Sequence, residues 1–399
     1  MLVIHNGKLV LEETILEGFA VLVNGYEILD VIPESELVQD PEAEWIDAQG
    51  GYITPGFIDI HSDYIESIVS PRPTSMMDVH MSLREAERIL IGNGITTMYH
   101  SLSLYREDVF THKPMRYPEN VQRLIDAIHQ THERETLIHH RLHARFEIDN
   151  LDEVDRLKQN IEDGKVHLLS FMDHTPGQGQ YRDLEVYRDT LKGYRDLTDE
   201  EVHSIVEERI QTPVLTLEKL KEVSEFARQH DIRVASHDDD DVQKIDLVKE
   251  IGTTISEFPI TLDVAKKAKE CDLQIVVGAP NILLGGSHSG NLSAATAIQE
   301  GCADILCSDY YPSALLHAVF ALHEQYGLEL HKAFQLVTTN PAKAVGMEHE
   351  MGSIKPGLKA DLLIIEKLAD GHPTVATAIV RGQVTSQTYY NPRTTLSEV

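Results

Sequence analysis

The chain has 399 residues, with 65 acidic side chains against 35 basic ones and a formal net charge of −30. That balance excludes a nucleic-acid binder or a protein held to acidic membranes by charge, and any anionic ligand would need local cations. The length exceeds one ordinary domain and suits a large α/β barrel with an appendage, while 42% hydrophobic residues supply a substantial core.

Taken in chain order, residues 1–54 read as β structure. Leu2–Val10 looks like a hairpin around Asn6-Gly7, and Phe19–Val31 repeats the pattern around Asn24-Gly25. The far end has the same character over Asp361–Ile365 and Thr377–Val384. The predicted organisation is a small β-sandwich domain built from both termini, residues 1–54 and 350–399, around an inserted unit spanning 55–349.

That unit alternates apolar strands with helical stretches. The strands are Phe57–Ile60, Thr96–Leu102, Leu137–Phe146, Val166–Met172, Ile232–Ser236, Thr254–Phe258, Leu273–Gly278 and Asp304–Cys307. Eight strands with helical crossovers predict a (β/α)₈ barrel. A doubly wound open sheet is the alternative, but no Gly-x-Gly-x-x-Gly or Gly-x-x-x-x-Gly-Lys-Ser/Thr loop follows any strand. Residues 177–212, rich in Asp, Glu, Arg and Tyr, are too long for a βα loop and read as a lid or an oligomer contact, which leaves a homo-oligomer open.

A barrel brings the C-terminal ends of its strands to one mouth, so strand-end residues become neighbours. The first strand ends in His61-Ser-Asp63, whose i and i+2 side chains share a side. The third places His143, Arg145 and Glu147 on one face; the fourth presents His174, the fifth His237 and the eighth Asp309. This set permits metal-assisted hydrolysis. His61 and Asp63 hold one ion, His174 and His237 the other, and Glu147 bridges them. Asp309 is a further metal ligand and acts as general base. The seventh strand is followed by a Gly-rich loop whose Gly286, Ser287, His288 and Ser289 could cradle phosphate oxygens. Pro71-Arg72-Pro73 aims Arg72 at an anion, with Arg145 and Arg182 as further candidates.

Three cysteines, Cys271, Cys302 and Cys307, form neither a disulfide framework nor a Cys-x-x-Cys pair. The opening residues lack a signal-peptide core, and no apolar run approaches the ~18 residues of a membrane span. A soluble cytoplasmic protein is expected.

With these residues assembled, the chain resembles the amidohydrolase superfamily, in Pro55-Gly-Phe-Ile-Asp-Ile-His-Ser-Asp63 after a small β region and in the tail Gly352-Ser-Ile-Lys-Pro-Gly-Leu-Lys-Ala-Asp-Leu-Leu363. More narrowly it resembles the PhnM family of the carbon–phosphorus lyase pathway, through Phe171-Met-Asp-His-Thr-Pro-Gly-Gln178, Ser236-His-Asp-Asp239, Glu257-Phe-Pro259 and Gly285-Gly-Ser-His-Ser-Gly-Asn291. The resemblance implies a diphosphatase that hydrolyses α-D-ribose 1-methylphosphonate 5-triphosphate to the 5-monophosphate and pyrophosphate. Two divalent ions are implied, with Zn²⁺ favoured and Mn²⁺ or Fe²⁺ also compatible with a carboxylate at Asp63. The competing readings are a cyclic-amide hydrolase or deaminase on the same metal centre, and a non-catalytic scaffold.

Overall fold

The computed structural model describes residues 1–72, 74–106, 113–179, 184–185, 188, 192, 198–286 and 291–390. All eight predicted barrel strands form: Phe57–Ser62, Ile95–Leu104, His139–Glu147, Leu168–Met172, Arg233–His237, Ile255–Glu257, Gln274–Gly278 and Ile305–Cys307. They lie parallel in one sheet, in chain order. The eighth strand returns to the first. Asp309 N–H donates to the His61 carbonyl and Asp63 N–H to the Asp309 carbonyl, each at 3.0 Å, so the ring closes at the future site. A doubly wound sheet is excluded by that closure.

Ile58, Ile60, Leu168, Ala235, Ile255, Val276 and Ile305 fill the barrel interior. The register against the second strand shifts between Asp59 and Ser62, a bulge that re-aims the strand end and turns His61 inward above Ile60. Helices surround the barrel, at Val79–Gly92, Pro118–Gln130, Val154–Glu162, Leu217–Gln229, Val242–Glu250 and Leu262–Glu270. Several start on a side chain that accepts a backbone N–H, such as Asp78 from Met81 at 2.8 Å. No helix among the described residues is long and apolar enough to cross a membrane.

Both termini build two further sheets. One has four strands, in the order Glu27–Pro33, Phe19–Asn24, Leu2–His5, Glu44–Asp47. The other has six: Gln383–Gln387, Pro373–Val380, Leu362–Lys367, Tyr52–Pro55, Lys8–Val10, Ile15–Glu17. They share one core of Ile4, Val21, Ile28, Ile53, Leu362 and Ile364. The hairpin at Asn24-Gly25 forms as predicted, with Phe19–Asn24 antiparallel to Glu27–Pro33. The one at Asn6-Gly7 does not. Leu2–His5 and Lys8–Val10 enter different sheets, and Asn6 (φ 55°) turns a corner between them. Gly7 is required by close approach, because a Cβ there would stand 2.6 Å from Ile53.

Within 177–212 the described residues include a helix. Asp199–Gln211 starts on a capping box at Thr198 and buries Val202 and Val206, and Arg209 pairs with Asp149 beyond the third strand at 2.9 Å.

One half-buried imidazole sets a pH dependence. Leu142 N–H donates to His167 Nδ1 at 3.0 Å, a bond that needs the neutral ring. Burial, reinforced by Arg141, takes the His167 pKa down to about 2. An unfolded histidine titrates near ~6.5, so below that pH the unfolded chain binds a proton that the folded one refuses. The stabilisation is therefore complete above ~6.5 and declines as pH falls. His167→Asn keeps an acceptor without the titration. In urea unfolding between pH 7 and pH 5, wild type is expected to lose more stability than the variant; equal losses would contradict this.

Candidate metal centre at the barrel mouth

His61, His143, Arg145, His237 and Glu257 all project into the mouth. The His61 ring lies 5.0 Å from that of His143 and 5.2 Å from that of His237, and Phe258 packs against both His61 and His237. Two donor sets form. Ligand atoms of His61, His237 and Glu257 lie within 4.8 Å of one another, as do those of His174, His237 and Asp238. His237 belongs to both. Its Nε2 also meets an Arg145 Nη at 3.0 Å.

These donors fit a cation. His61 Nδ1 and Glu257 Oε1 stand 3.0 Å apart, yet neither has a hydrogen-bond partner, and Glu257 Oε2 has none either. His237 Nδ1 is in the same condition, 3.0 Å from Asp238 Oδ2. A buried polar group without a partner costs about 1–3 kcal/mol, which a positive ion would offset. Donors that converge to about 3 Å without sharing a proton have the spacing of ligands around one ion at ~2.0–2.2 Å.

Electrostatics prepare the site in the same sense. Burial, and then the Arg145 guanidinium, hold His61 well below its ordinary pKa, and burial takes His143 down to about 3. Both rings are thus neutral at pH 7. The His143 nitrogens are already engaged by the Ser101 and Ser170 hydroxyls at 3.0 and 2.9 Å. His174 differs: burial opposes its charge, but the Glu147 carboxylate 2.7 Å from Nδ1 prevails and its pKa rises. Asp309 is pushed up to about 7 by burial and then by Asp63. Strain collects here too. Asp238, Phe258 and Asp309, following three different strands, have φ of 50°, 55° and 59°, a region such residues occupy at a cost where the surroundings enforce it.

Residues 52–386 match the Amidohydrolase family. The chain belongs to that family. Among curated proteins, the alpha-D-ribose 1-methylphosphonate 5-triphosphate diphosphatase of Escherichia coli is 33% identical over 93% of this chain and 96% of that enzyme, which bears out the PhnM resemblance. The imidazolonepropionase of Geobacillus thermodenitrificans is 24% identical over 88% of this chain and 84% of its own. Among solved structures, N-acetylglucosamine-6-phosphate deacetylase from Pasteurella multocida aligns with a TM-score of 0.65 at 12% identity, covering 97% of this chain and 99% of that one. At that identity it shows the shared fold alone.

Within this amidohydrolase barrel, the structure brings His61, His174 and His237 together as the strand-end rule anticipates. Glu147 sits beside His174 in an ion pair, and His174 N–H donates to its other oxygen at 2.7 Å. Asp63 starts the short helix Tyr64–Val69, and burial followed by Glu66 raises its pKa. Asp63 and Asp309 border the two donor sets without belonging to either. Arg145 points into the mouth, whereas Arg72 lies on an exposed turn closed by Ser75.

The phosphate-cradle reading needs a correction at Gly286. A short helix, Ala279–Leu284, follows the seventh strand, Gly285 ends it at φ 74°, and the Gly286 N–H is spent on the Asn281 carbonyl at 3.0 Å. Ser287, His288, Ser289 and Arg182 lie outside the described residues. Three groups escaped the sequence reading. Glu257 and Asp238 complete the donor sets, and Glu257 obeys the rule used for the others, an acid closing an apolar strand. Arg116, the third, pairs with Glu66 at 3.0 Å, and its guanidinium lies 5.5 Å from the centre of the Tyr105 ring, which neighbours His174. With Arg145 and Lys113 it counters the rise in the Asp63 pKa.

Proposed function

We propose that this chain is a metal-dependent diphosphatase acting on α-D-ribose 1-methylphosphonate 5-triphosphate, giving 5-phospho-α-D-ribose 1-methylphosphonate and pyrophosphate. The observation that carries this reading is the 33% identity to the E. coli diphosphatase over nearly the whole of both chains. The mouth supports it. Arg145, Arg116 and Lys113 put positive charge beside an acidic cluster in a protein of net charge −30, as a polyphosphate requires. Histidine and carboxylate donors suit two divalent ions, Zn²⁺ above all and Mn²⁺ or Fe²⁺ as alternatives. We also place the division of the chain at 1–54 with 350–399 against 55–349.

His61, His237 and Glu257 would hold one ion and His174, His237 and Asp238 the other, with His237 serving both as an imidazolate that would offer one nitrogen to each. Bound there, the ions supply Lewis acidity toward a phosphoryl oxygen and lower the pKa of a water. The chain does the rest. Asp309 takes the proton of the attacking water, and its raised pKa suits a base working near neutrality. Arg145 and Arg116 neutralise and orient the phosphates, holding the scissile phosphorus toward the water. One water is consumed, one phosphoanhydride bond breaks, and pyrophosphate leaves.

Protein loaded with Zn²⁺ or Mn²⁺ and given the ribose triphosphate is expected to release pyrophosphate stoichiometrically with the 5-monophosphate, and to leave hydantoin, dihydrouracil and adenine untouched. Turnover of one of those without pyrophosphate release would establish the cyclic-amide hydrolase or deaminase reading instead.

A further inference from the structure

Two residues beyond His237 lies a carboxylate with no part in the donor sets. Asp239 is fully buried, and its Oδ2 accepts from the Ser236 and Ser256 hydroxyls at 2.6 and 2.7 Å. Those serines are register partners on the fifth and sixth strands, and the next pair in register is His237 with Glu257. Alternation along a strand turns the serines to the outer face while the two donors face the mouth. One oxygen atom therefore ties together the residues immediately preceding two donors of the same set.

The backbone is shaped to allow it. Asp238 takes φ 50°, its N–H bonds the Glu257 carbonyl at 2.9 Å, and the chain folds back so that the Asp239 carbonyl accepts from Ile260 N–H at 2.9 Å. Both strands are thus pinned past their ends by main chain and side chain. The other Asp239 oxygen has no hydrogen-bond partner and meets the Lys244 ammonium only at 3.9 Å, a cation that lies equally far from Asp240. A buried carboxylate in that condition is a poor source of stability, since apolar residues of similar volume commonly serve at least as well. What a hydrogen-bonded group does supply is a single geometry.

We propose that Asp239 is a positioning residue, a crossbar that sets the distance between His237 and Glu257 and so tunes the grip on the ion they share. This rests on the metal-centre reading above. Asn at 239 keeps an oxygen able to accept both hydroxyls; Ala does not.

The test is titration of chelator-stripped full-length protein with Co²⁺, whose visible absorption reports ligand geometry as well as binding. Asp239→Asn is expected to bind within about threefold of wild type with the same spectrum. Asp239→Ala is expected to weaken binding by about 10- to 100-fold, the range for losing a partner that orients a ligand, with an altered spectrum. Ser256→Ala, which removes one hydroxyl and leaves the carboxylate, falls between them and decides the matter if Asp239→Ala does not fold. Wild-type affinity and spectrum in Asp239→Ala, or in Ser256→Ala if it must stand in, would overturn the crossbar alone. So would an Asn variant as weak as the Ala one. A wild type that takes up no cobalt would overturn the metal centre and this inference with it.

Discussion

Asp309→Asn is expected to lower kcat by about 10²- to 10⁴-fold while leaving metal content and fold intact. The range is that of a positioned general base, equivalent to about 3–5 kcal/mol of barrel-mouth chemistry. The substitution is almost pure loss of basicity. Asparagine has the same shape and is among the few residues at ease at the φ of 59° found here. The backbone N–H and carbonyl that close the ring onto His61 and Asp63 are untouched. Steady-state rates measured beside metal stoichiometry check it. A variant with near-normal turnover would remove Asp309 from the role of base, and one that lost its metal would make it a ligand first.

His237→Ala is expected to have the largest effect on metal. It is the one side chain common to both donor sets, so its removal weakens two ions together, by more than the ~100-fold that marks loss of a supporting group. Arg145 would also lose the ring it meets at 3.0 Å. Metal analysis after dialysis is expected to show the content falling to half or less. Glu257→Gln supplies the contrast. It touches one set only, so it should empty one site while the ion at His174 and Asp238 persists. Unchanged stoichiometry in His237→Ala would mean that the donors were misassigned.

How much of this could be read before the fold was seen depended on the range of the interactions involved. Most barrel strands were legible because they are buried on both faces and read as apolar runs, such as Leu273–Gly278. Their shared mouth follows from the architecture, which is why His61, His174 and His237, spread over 176 residues of sequence, could be placed together. Glu257 was hidden for a local reason: the predicted strand ran on to Phe258, one residue past the observed end at Glu257, so the acid read as a mid-strand residue and not as a strand-end donor. Asp238 and Asp239 were hidden by composition. A run of four aspartates looks like a solvated turn, and only the backbone reversal at Asp238 buries the first two.

The two Asn-Gly turns carry the same lesson. Asn24-Gly25 and Asn6-Gly7 offer the same local signal, yet only the first makes a hairpin. Leu2–His5 instead pairs in parallel with Glu44–Asp47, some 40 residues on, a partner no turn residue can announce. The glycines after the seventh strand misled in a similar way. Gly285 serves a helix end there, and the Gly286 N–H is consumed before any anion could claim it.

The most direct test is a crystal structure of the zinc-loaded protein with anomalous data collected on either side of the zinc edge. Zinc peaks are expected inside the barrel mouth, one among His61, His237 and Glu257 and one among His174, His237 and Asp238. Zinc found only on the outer surface, with those side chains meeting no ion, would contradict the account.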